Sequence, residues 1–283
     1  MGVAIGAAGP HRYRLYKPTG VRRNESLPLL VMLHGCGQDA QAFAASSKMN
    51  TIAARERFFV LYPEQDRLSN ALGCWNWYDT RSGRAQAEAN SISTAIEQVC
   101  LSQAIDRKRI ALAGISAGAS MAVLLATQHP ERFRAIAMHS GIAPGVAHSS
   151  ASAIKAMFGQ AVTTSPLPEI SPDVRLPALL VIHGLADHVV APSNGSEAAM
   201  RWGERVGAKA GKPRRVQRGT RYAATITDYR DHGRLVATLC EVDQLGHAWS
   251  GGAAGYPYSD PKGPNASRMI WTFVATQLDK AAD

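Results

Sequence analysis

The sequence has no long apolar run. Its longest apolar stretches, residues 27–33 and 178–182, are far shorter than the roughly 20 residues that a helix needs to cross a bilayer. We therefore expect no membrane span. Residues 1–10 are small and apolar, but no basic stretch precedes them, so they do not have the form of an intact secretory signal.

Cysteine is also scarce. The four cysteines are too few for a disulfide scaffold, and they lack the close paired spacing of a zinc site. We expect no metal, and the pairing of these cysteines depends on the compartment in which the protein folds. They are Cys36, Cys74, Cys100 and Cys240.

Acidic residues are nearly absent from one segment, residues 201–221. It holds eight lysines or arginines against the single Glu204, and so supplies +7 of the net charge of +9. Such a segment could bind nucleic acid or an anionic surface. It has no interleaved aromatic residues and no binding motif, so we expect a solvated helix and loop with no nucleic-acid partner.

A chain of 283 residues with 46% hydrophobic residues can bury one sizeable core, and no repeat or break in composition marks a second domain. We expect one domain, residues 1–283. Short apolar runs alternate with helical patterns, which predicts an α/β fold with a mostly parallel sheet and helices on both faces. The predicted strands are 29–33, 58–62, 110–113, 135–139, 178–183 and 235–242, and the predicted helices are 85–102, 117–128, 195–206 and 266–281.

Two segments interrupt this alternation. Residues 64–84 form a long predicted loop that contains Trp75-Asn76-Trp77-Tyr78. Residues 144–177 are rich in Ala, Ser and Pro, and they are interpreted as a small lid, an extra helix or a mobile insertion.

The segment Gly114-Ile115-Ser116-Ala117-Gly118 carries the strongest chemical signal. Gly-x-Ser-x-Gly alone is a weak motif, but here an apolar strand runs into it and an alanine-rich helix runs out of it. This is the pattern of the nucleophile elbow of α/β-hydrolases, in which the glycines leave room for a serine on a sharp, strained turn. The alternative is a structural Gly-Ser turn before a helix.

A serine nucleophile needs a base, and the base needs an orienting carboxylate. In this fold the chain order is Ser, then Asp or Glu, then His. Asp187 lies in the loop after the predicted strand 178–183, and His247 follows the predicted strand 235–242. We therefore expect Asp187 and His247 to act with Ser116, with His188 as the less favoured base.

Two backbone N–H groups are expected to form an oxyanion hole. The first is that of Ala117, and the second lies in the loop after an early strand, for which Cys36 is the candidate. His34, in the same loop, is expected to hold the backbone rather than to move protons. His139 and His183 are expected to have hydrogen-bonded packing roles.

With these residues identified, the chain resembles the polyhydroxybutyrate depolymerase family of α/β-hydrolase esterases, which also includes feruloyl and acetylxylan esterases. The resemblance covers nearly the whole chain and rests on five segments taken together. They are Leu33-His34-Gly35-Cys36-Gly37-Gln38, Leu61-Tyr62-Pro63-Glu64-Gln65, Cys74-Trp75-Asn76-Trp77-Tyr78, the segment 114–122, and Gly246-His247-Ala248-Trp249-Ser250-Gly251-Gly252.

The resemblance implies a serine esterase without a cofactor, with Ser116, Asp187 and His247 as the triad. It also implies a Cys36–Cys74 disulfide, an extracellular or periplasmic location, and a substrate cleft lined by Trp249 and Trp75. Core packing of Trp75 or Trp77 is an equal alternative, because tryptophan is usually buried.

After the last predicted helix there is no linker or substrate-binding domain like that of polymer-degrading members. We therefore expect short-chain esters or 3-hydroxybutyrate oligomers as substrates. The alternatives are a feruloyl or acetylxylan carbohydrate esterase and, more remotely, a hydrolase-fold binding module without catalysis.

Overall fold

The computed structural model describes residues 1–6, 9–22, 24–143, 145–160 and 175–279 of the chain. The strands in chain order are β1 (Gly2–Gly6), β2 (Gly9–Tyr16), β3 (Leu27–Leu33), β4 (Phe59–Pro63), β5 (Ile105–Ile115), β6 (Ala135–His139), β7 (Ala178–Gly184), β8 (Lys209–Ala210), β9 (Arg214–Val216), β10 (Ala224–Asp231), β11 (Arg234–Val242), β12 (Trp249–Ser250) and β13 (Ser259–Asp260). The helices are α1 (Ala40–Ser47), α2 (Met49–Glu56), α3 (Arg84–Ser102), α4 (Ala117–Gln128), α5 (Ser150–Met157), α6 (Ser193–Glu204) and α7 (Ala266–Asp279).

One twisted sheet holds eleven of the described strands. Its order is β1-β2-β4-β3-β5-β6-β7-β11-β10-β8, and β9 also pairs with β10. The six central strands from β4 to β11 run parallel, whereas both edges are antiparallel. The small parallel pair of β12 and β13 is separate. This is the α/β-hydrolase fold that the sequence predicts.

Helices cover both faces of the sheet. On one face α3, α4 and α6 pack over Val31, Leu112 and Val181, and on the other α1, α2 and α7 pack over Met32, Ala113 and Ile182. Because parallel strands are buried on both sides, they form nearly continuous apolar runs, and this is why the sequence reveals them. None of the described helices is long and apolar enough to cross a bilayer.

The structure corrects one expectation. The basic segment 201–221 is not only helix and loop: after α6 it contributes the short strands β8 and β9 to the sheet edge. Within 144–177, the described residues contain the extra helix that was one of the alternatives: α5, which is capped by the Ser149 side chain. Pro144 and residues 161–174 of this segment lie outside the described residues.

Candidate active site

Ser116 occupies the sharp turn between β5 and α4. Its φ of 55° and ψ of −126° lie outside the regions that L-residues normally adopt, and its N–H donates to the His139 carbonyl at 2.9 Å. A Cβ on Gly114 would overlap the Gly118 backbone, and one on Gly118 would overlap the carbonyls of Leu33 and His34. The two glycines therefore allow the close approach of strand and helix that the elbow requires.

Asp187 and His247 meet across the loops after β7 and β11. His247 Nδ1 lies 2.8 Å from Asp187 Oδ2. Oδ1 of Asp187 accepts the N–H groups of Val189 and Val190 at 2.9 and 2.8 Å, which fixes the carboxylate in place. This pair provides the arrangement of a base with its orienting acid.

The environment of Asp187 favours its ionised form. Burial, the largest influence, opposes ionisation, but hydrogen bonds from His183 and His247 and the backbone N–H of Val190 outweigh it. Together they hold the pKa of Asp187 well below its usual range. A buried carboxylate that stays ionised can orient and stabilise a charged imidazole.

The three residues lie at the carboxyl ends of central strands of the sheet. Ser116 follows β5, Asp187 follows β7 and His247 follows β11. These strands and β6 are consecutive neighbours and run parallel, so their carboxyl ends point the same way. Ligand and catalytic groups of α/β sheets gather at the carboxyl ends of the strands.

The loop after β3 reaches Ser116. A Cβ on Gly35 would lie 3.5 Å from Ser116 Cβ, and Gly35 N–H donates to the Gln38 side chain at 3.0 Å. Among the described residues, the N–H groups of Cys36 and Ala117 have no acceptor within hydrogen-bond distance. Unpaired N–H groups beside a serine are suited to an oxyanion.

His34 has the structural role expected from the sequence. It is buried, its Nε2 accepts the N–H of Gln65 at 3.1 Å, and its carbonyl accepts Trp75 Nε1–H at 3.1 Å. Burial lowers the pKa of His34, so the ring stays neutral. The adjacent disulfide between Cys36 and Cys74 ties this loop to the aromatic loop, as the resemblance implies.

The structure corrects the expectation that Trp75 and Trp249 line the cleft. Each is only 1% exposed, and the indole N–H of each donates a hydrogen bond inside the protein. Trp249 Nε1–H donates to Ser267 Oγ at 3.1 Å and its ring stacks on His139, with centroids 5.1 Å apart. Both tryptophans therefore support the site from the core.

Sequence reasoning missed two neighbours of the site. His139, predicted only to pack, links the elbow to the His247 loop: its carbonyl accepts Ser116 N–H, and its Nε2 accepts Ser250 N–H at 3.2 Å. Its position at the end of the strand next to β5 was the available signal. Tyr258, half exposed, meets the His247 ring edge-on at 6.3 Å, and no pattern marked it.

Within the described ranges, no group of three or more His, Cys, Asp or Glu residues is placed to hold a metal ion. The arrangement around Ser116 instead combines a strained serine, a paired imidazole and free N–H donors. These are the components of nucleophilic acyl transfer.

Known proteins are similar to this chain in sequence or in fold. The chain is 31% identical over 207 residues to poly(3-hydroxyalkanoate) depolymerase C of Paucimonas lemoignei, covering 66% of this chain and 47% of the relative, so the match spans about half of that protein. It is 27% identical to feruloyl esterase B of Neurospora crassa, over 78% of this chain and 82% of the relative. An acetyl xylan esterase from Aspergillus awamori has the same fold, with a TM-score of 0.70 at 21% identity, over 83% of this chain and 88% of that one.

The family model described as esterase PHB depolymerase matches residues 11–215, which is more than half of the chain. The match contains the elbow, the loop after β3 and Asp187. The chain belongs to the PHB depolymerase esterase family, a family of carboxylic ester hydrolases with the α/β-hydrolase fold.

Proposed function

We propose that this protein is a serine esterase that hydrolyses carboxylic esters through an acyl-enzyme, with Ser116 as nucleophile, His247 as base and Asp187 as orienting acid. The observation that carries the proposal is the Asp187–His247 hydrogen bond, which lies at the same carboxyl end of the parallel strands as the strained Ser116. Residues 1–283 act as one catalytic domain in this proposal, since one sheet supplies all three residues.

The mechanism follows from the positions of these groups. His247 Nε2 accepts the Ser116 hydroxyl proton as Oγ attacks the ester carbonyl. The resulting oxyanion is bound by the N–H groups of Cys36 and Ala117, and collapse of the intermediate expels the alcohol with the proton from His247. Water then attacks the acyl-enzyme by the same route and releases the acid.

Asp187 determines which ring nitrogen reacts. Its hydrogen bond to Nδ1 of His247 requires a proton there, so Nε2 of the neutral ring has a free lone pair for the serine proton. The ionised carboxylate also stabilises the imidazolium that forms. The unusually low pKa of Asp187 preserves this charge across the working pH range.

Short-chain esters and 3-hydroxybutyrate oligomers are the proposed substrates. The depolymerase relative and the family model support them. A carbohydrate esterase that releases ferulate or acetate is the second candidate, favoured by the feruloyl esterase relative, 82% of which is covered. Rates on p-nitrophenyl butyrate, methyl ferulate and soluble 3-hydroxybutyrate oligomers, measured side by side, discriminate between them.

Labelling with a fluorophosphonate tests the mechanism. The wild-type protein should bind the reagent covalently at Ser116 and hydrolyse p-nitrophenyl butyrate, and Ser116→Ala should do neither. Undiminished hydrolysis by Ser116→Ala would contradict the mechanism. A wild-type protein that neither reacts with the reagent nor hydrolyses any ester of the panel would instead be a binding module.

A further inference from the structure

The sheet extends beyond the helices on one face. Helix α7 packs against β5, β6 and β7, whereas α6 covers the opposite face of β7, β11 and β10. In the part of the chain that the structure describes, no helix covers the α7-side face of β9 and β10. The uncovered face and the flank of α7 enclose a cleft of about 920 Å³.

The cleft is lined by one face of β9 and β10 and by one side of α7, as the spacing of the lining residues shows. On β9, Arg214 and Val216 line it, whereas Arg215 between them does not. On β10 the lining residues are likewise every second one, from Ala224 to Arg230. The lining residues of α7 recur at helical spacing and include Arg268, Met269, Thr272, Phe273, Thr276 and Gln277.

The floor of the cleft is apolar. Leu180, Ala224 and Cys240 are buried at its base. Ile226 and Phe273 remain partly exposed, one from the sheet and one from the helix. An apolar floor open at the surface favours a ligand with an apolar tail.

The rim is strongly basic. Five arginines line the cleft against one carboxylate, that of Asp228, so its lining carries a net charge of +4; the arginines are Arg214, Arg218, Arg221, Arg230 and Arg268.

Local contacts engage only some of these arginines. Asp228 pairs with Arg214 at 3.0 Å and Arg230 at 3.4 Å, and Arg221 donates to two backbone carbonyls. Arg218 and Arg268 have no carboxylate partner among the described residues. Their unpaired guanidinium groups are suited to a carboxylate, which they can bind through two parallel hydrogen bonds.

We propose that this cleft binds an amphiphilic carboxylate, with its apolar tail on the sheet and its head group at Arg218 and Arg268. Its volume lies in the range of small-molecule sites. Ser116, Asp187 and His247 are not among its lining residues, so this site is separate from the candidate active site and does not depend on the proposed function.

Calorimetric titration with decanoate tests the proposal. Wild-type protein should bind decanoate saturably, and added NaCl should weaken the binding because it screens the arginines. Decyltrimethylammonium, with the same tail and opposite charge, and acetate, with the same head and no tail, should bind far more weakly. Absence of saturable decanoate binding, or equal binding of the cationic amphiphile, would overturn the proposal.

Matched arginine variants locate the site. Arg218→Gln/Arg268→Gln should weaken decanoate binding about tenfold or more, because charge-assisted hydrogen bonds are lost. Arg215→Gln is the control: like each of the two substitutions it removes one guanidinium charge, here from β9, but Arg215 lies outside the cleft lining and pairs with Asp243. Equal weakening by the control would show a general charge effect and overturn the assignment.

A space-filling variant provides a second test. Thr272→Trp adds bulk at an exposed position of α7 that lines the cleft, and it should abolish decanoate binding while leaving p-nitrophenyl butyrate hydrolysis unchanged.

Sedimentation of each variant tests whether a second copy of the chain occupies the cleft. Loss of a dimer in the arginine variant, with no decanoate binding to wild type, would assign the cleft to a second copy of the chain instead.

Discussion

Asp187 is buried, ionised and hydrogen-bonded through both carboxylate oxygens. Two neighbouring N–H groups hold Oδ1, so Oδ2 alone faces His247. The orientation of its carboxylate thus depends on the turn after β7, whereas its role in catalysis would depend on His247, 60 residues away in the chain. A substitution can separate these two dependences.

Asp187→Asn keeps the shape of the side chain but removes its charge. An amide N–H facing His247 Nδ1 favours the wrong tautomer, so we expect kcat to fall by about 10⁴ with little change in KM, as for the equivalent change in other triads. Steady-state kinetics on p-nitrophenyl butyrate measure this. Asp243→Asn, at a surface ion pair with Arg215, is the control. Near-normal turnover by Asp187→Asn would require another orienting acid.

His139 should make the protein sensitive to acid. Burial, together with the positive charges that His183 and His247 can carry, lowers its pKa to about 3, although Asp187 acts in the opposite sense. The unfolded state binds a proton near pH 6.5 and the folded state does not, so this residue's contribution to stability is full above that pH and falls as the pH drops from 6.5 towards 3. The loss approaches about 1.4 kcal/mol per pH unit.

His139→Gln should remove this part of the acid sensitivity. Gln has no charge to gain, so its free energy of unfolding should change less between pH 7.5 and pH 5 than that of the wild type, even if Gln is less stable at pH 7.5. Urea unfolding at several pH values gives the comparison. His232→Gln is the control, because that side chain is 98% exposed. Parallel pH profiles for wild type and His139→Gln would contradict the role.

At the scale of elements, the junction of β3, β5 and α4 depends on absent side chains. Gly118→Ala places a methyl group against the carbonyls of Leu33 and His34, and neither backbone can move without disturbing the sheet. We expect a loss of about 1–3 kcal/mol in stability together with reduced activity. Chemical denaturation measures it. Gly246→Ala is the matched control, since the nearest atom to its new Cβ is 3.8 Å away.

The Cys36–Cys74 disulfide joins the loop after β3 to the aromatic loop, and the hydrogen bond from Trp75 Nε1–H to the His34 carbonyl joins the same two loops. The disulfide closes a loop across 38 positions of sequence, so its removal should cost up to about 4 kcal/mol through the entropy of the unfolded chain. Cys36→Ser/Cys74→Ser should unfold at lower urea concentration than oxidised wild type. Dithiothreitol should lower the wild-type midpoint to the same value and leave the variant unchanged. An unchanged wild-type midpoint would contradict the prediction.

The sequence predicts those elements whose local pattern is sufficient to specify them. The bounds of β6 and α4 agree with the prediction, since both are buried apolar runs between turn residues. β9 could not be predicted in this way, because Arg-Arg-Val reads as loop until β10 provides a partner. β2 was also missed: its alternating polar and apolar residues suit an edge strand, not the continuous apolar pattern of the centre.

The same limit applies to the site. Ser116, Asp187 and His247 follow from motif and chain order, because each lies in a loop after a recognisable strand. Which face a tryptophan takes does not, since Trp249 is buried by contacts with Phe43, His139 and Ser267 from distant parts of the chain. The link from Ser116 through His139 to Ser250 is likewise a property of strand order rather than of local sequence.

Across the whole molecule, one sheet separates two apolar layers, and each layer contains tryptophans. Trp75 and Trp202 lie in the layer of α3, α4 and α6, whereas Trp249 and Trp271 lie in the layer of α7. Because the same central strands form the floor of both layers, neither layer can lose its packing while the other remains intact. The described fold thus predicts a single cooperative unit.

Urea unfolding tests this cooperativity with a reporter on each face. Trp202→Phe removes the fluorescence of one tryptophan from the layer of α3, α4 and α6, and Trp271→Phe removes that of one from the layer of α7, so the two variants weight the layers differently. Within each variant, fluorescence and far-ultraviolet circular dichroism should give coincident transitions, even though the substitutions shift the midpoints. Separated transitions by the two methods would mean that the layers unfold independently and would contradict a single catalytic domain. Coincidence is expected because β5, β6 and β7 contribute alternate side chains to both layers, so loss of either layer exposes the strands that carry Ser116 and Asp187.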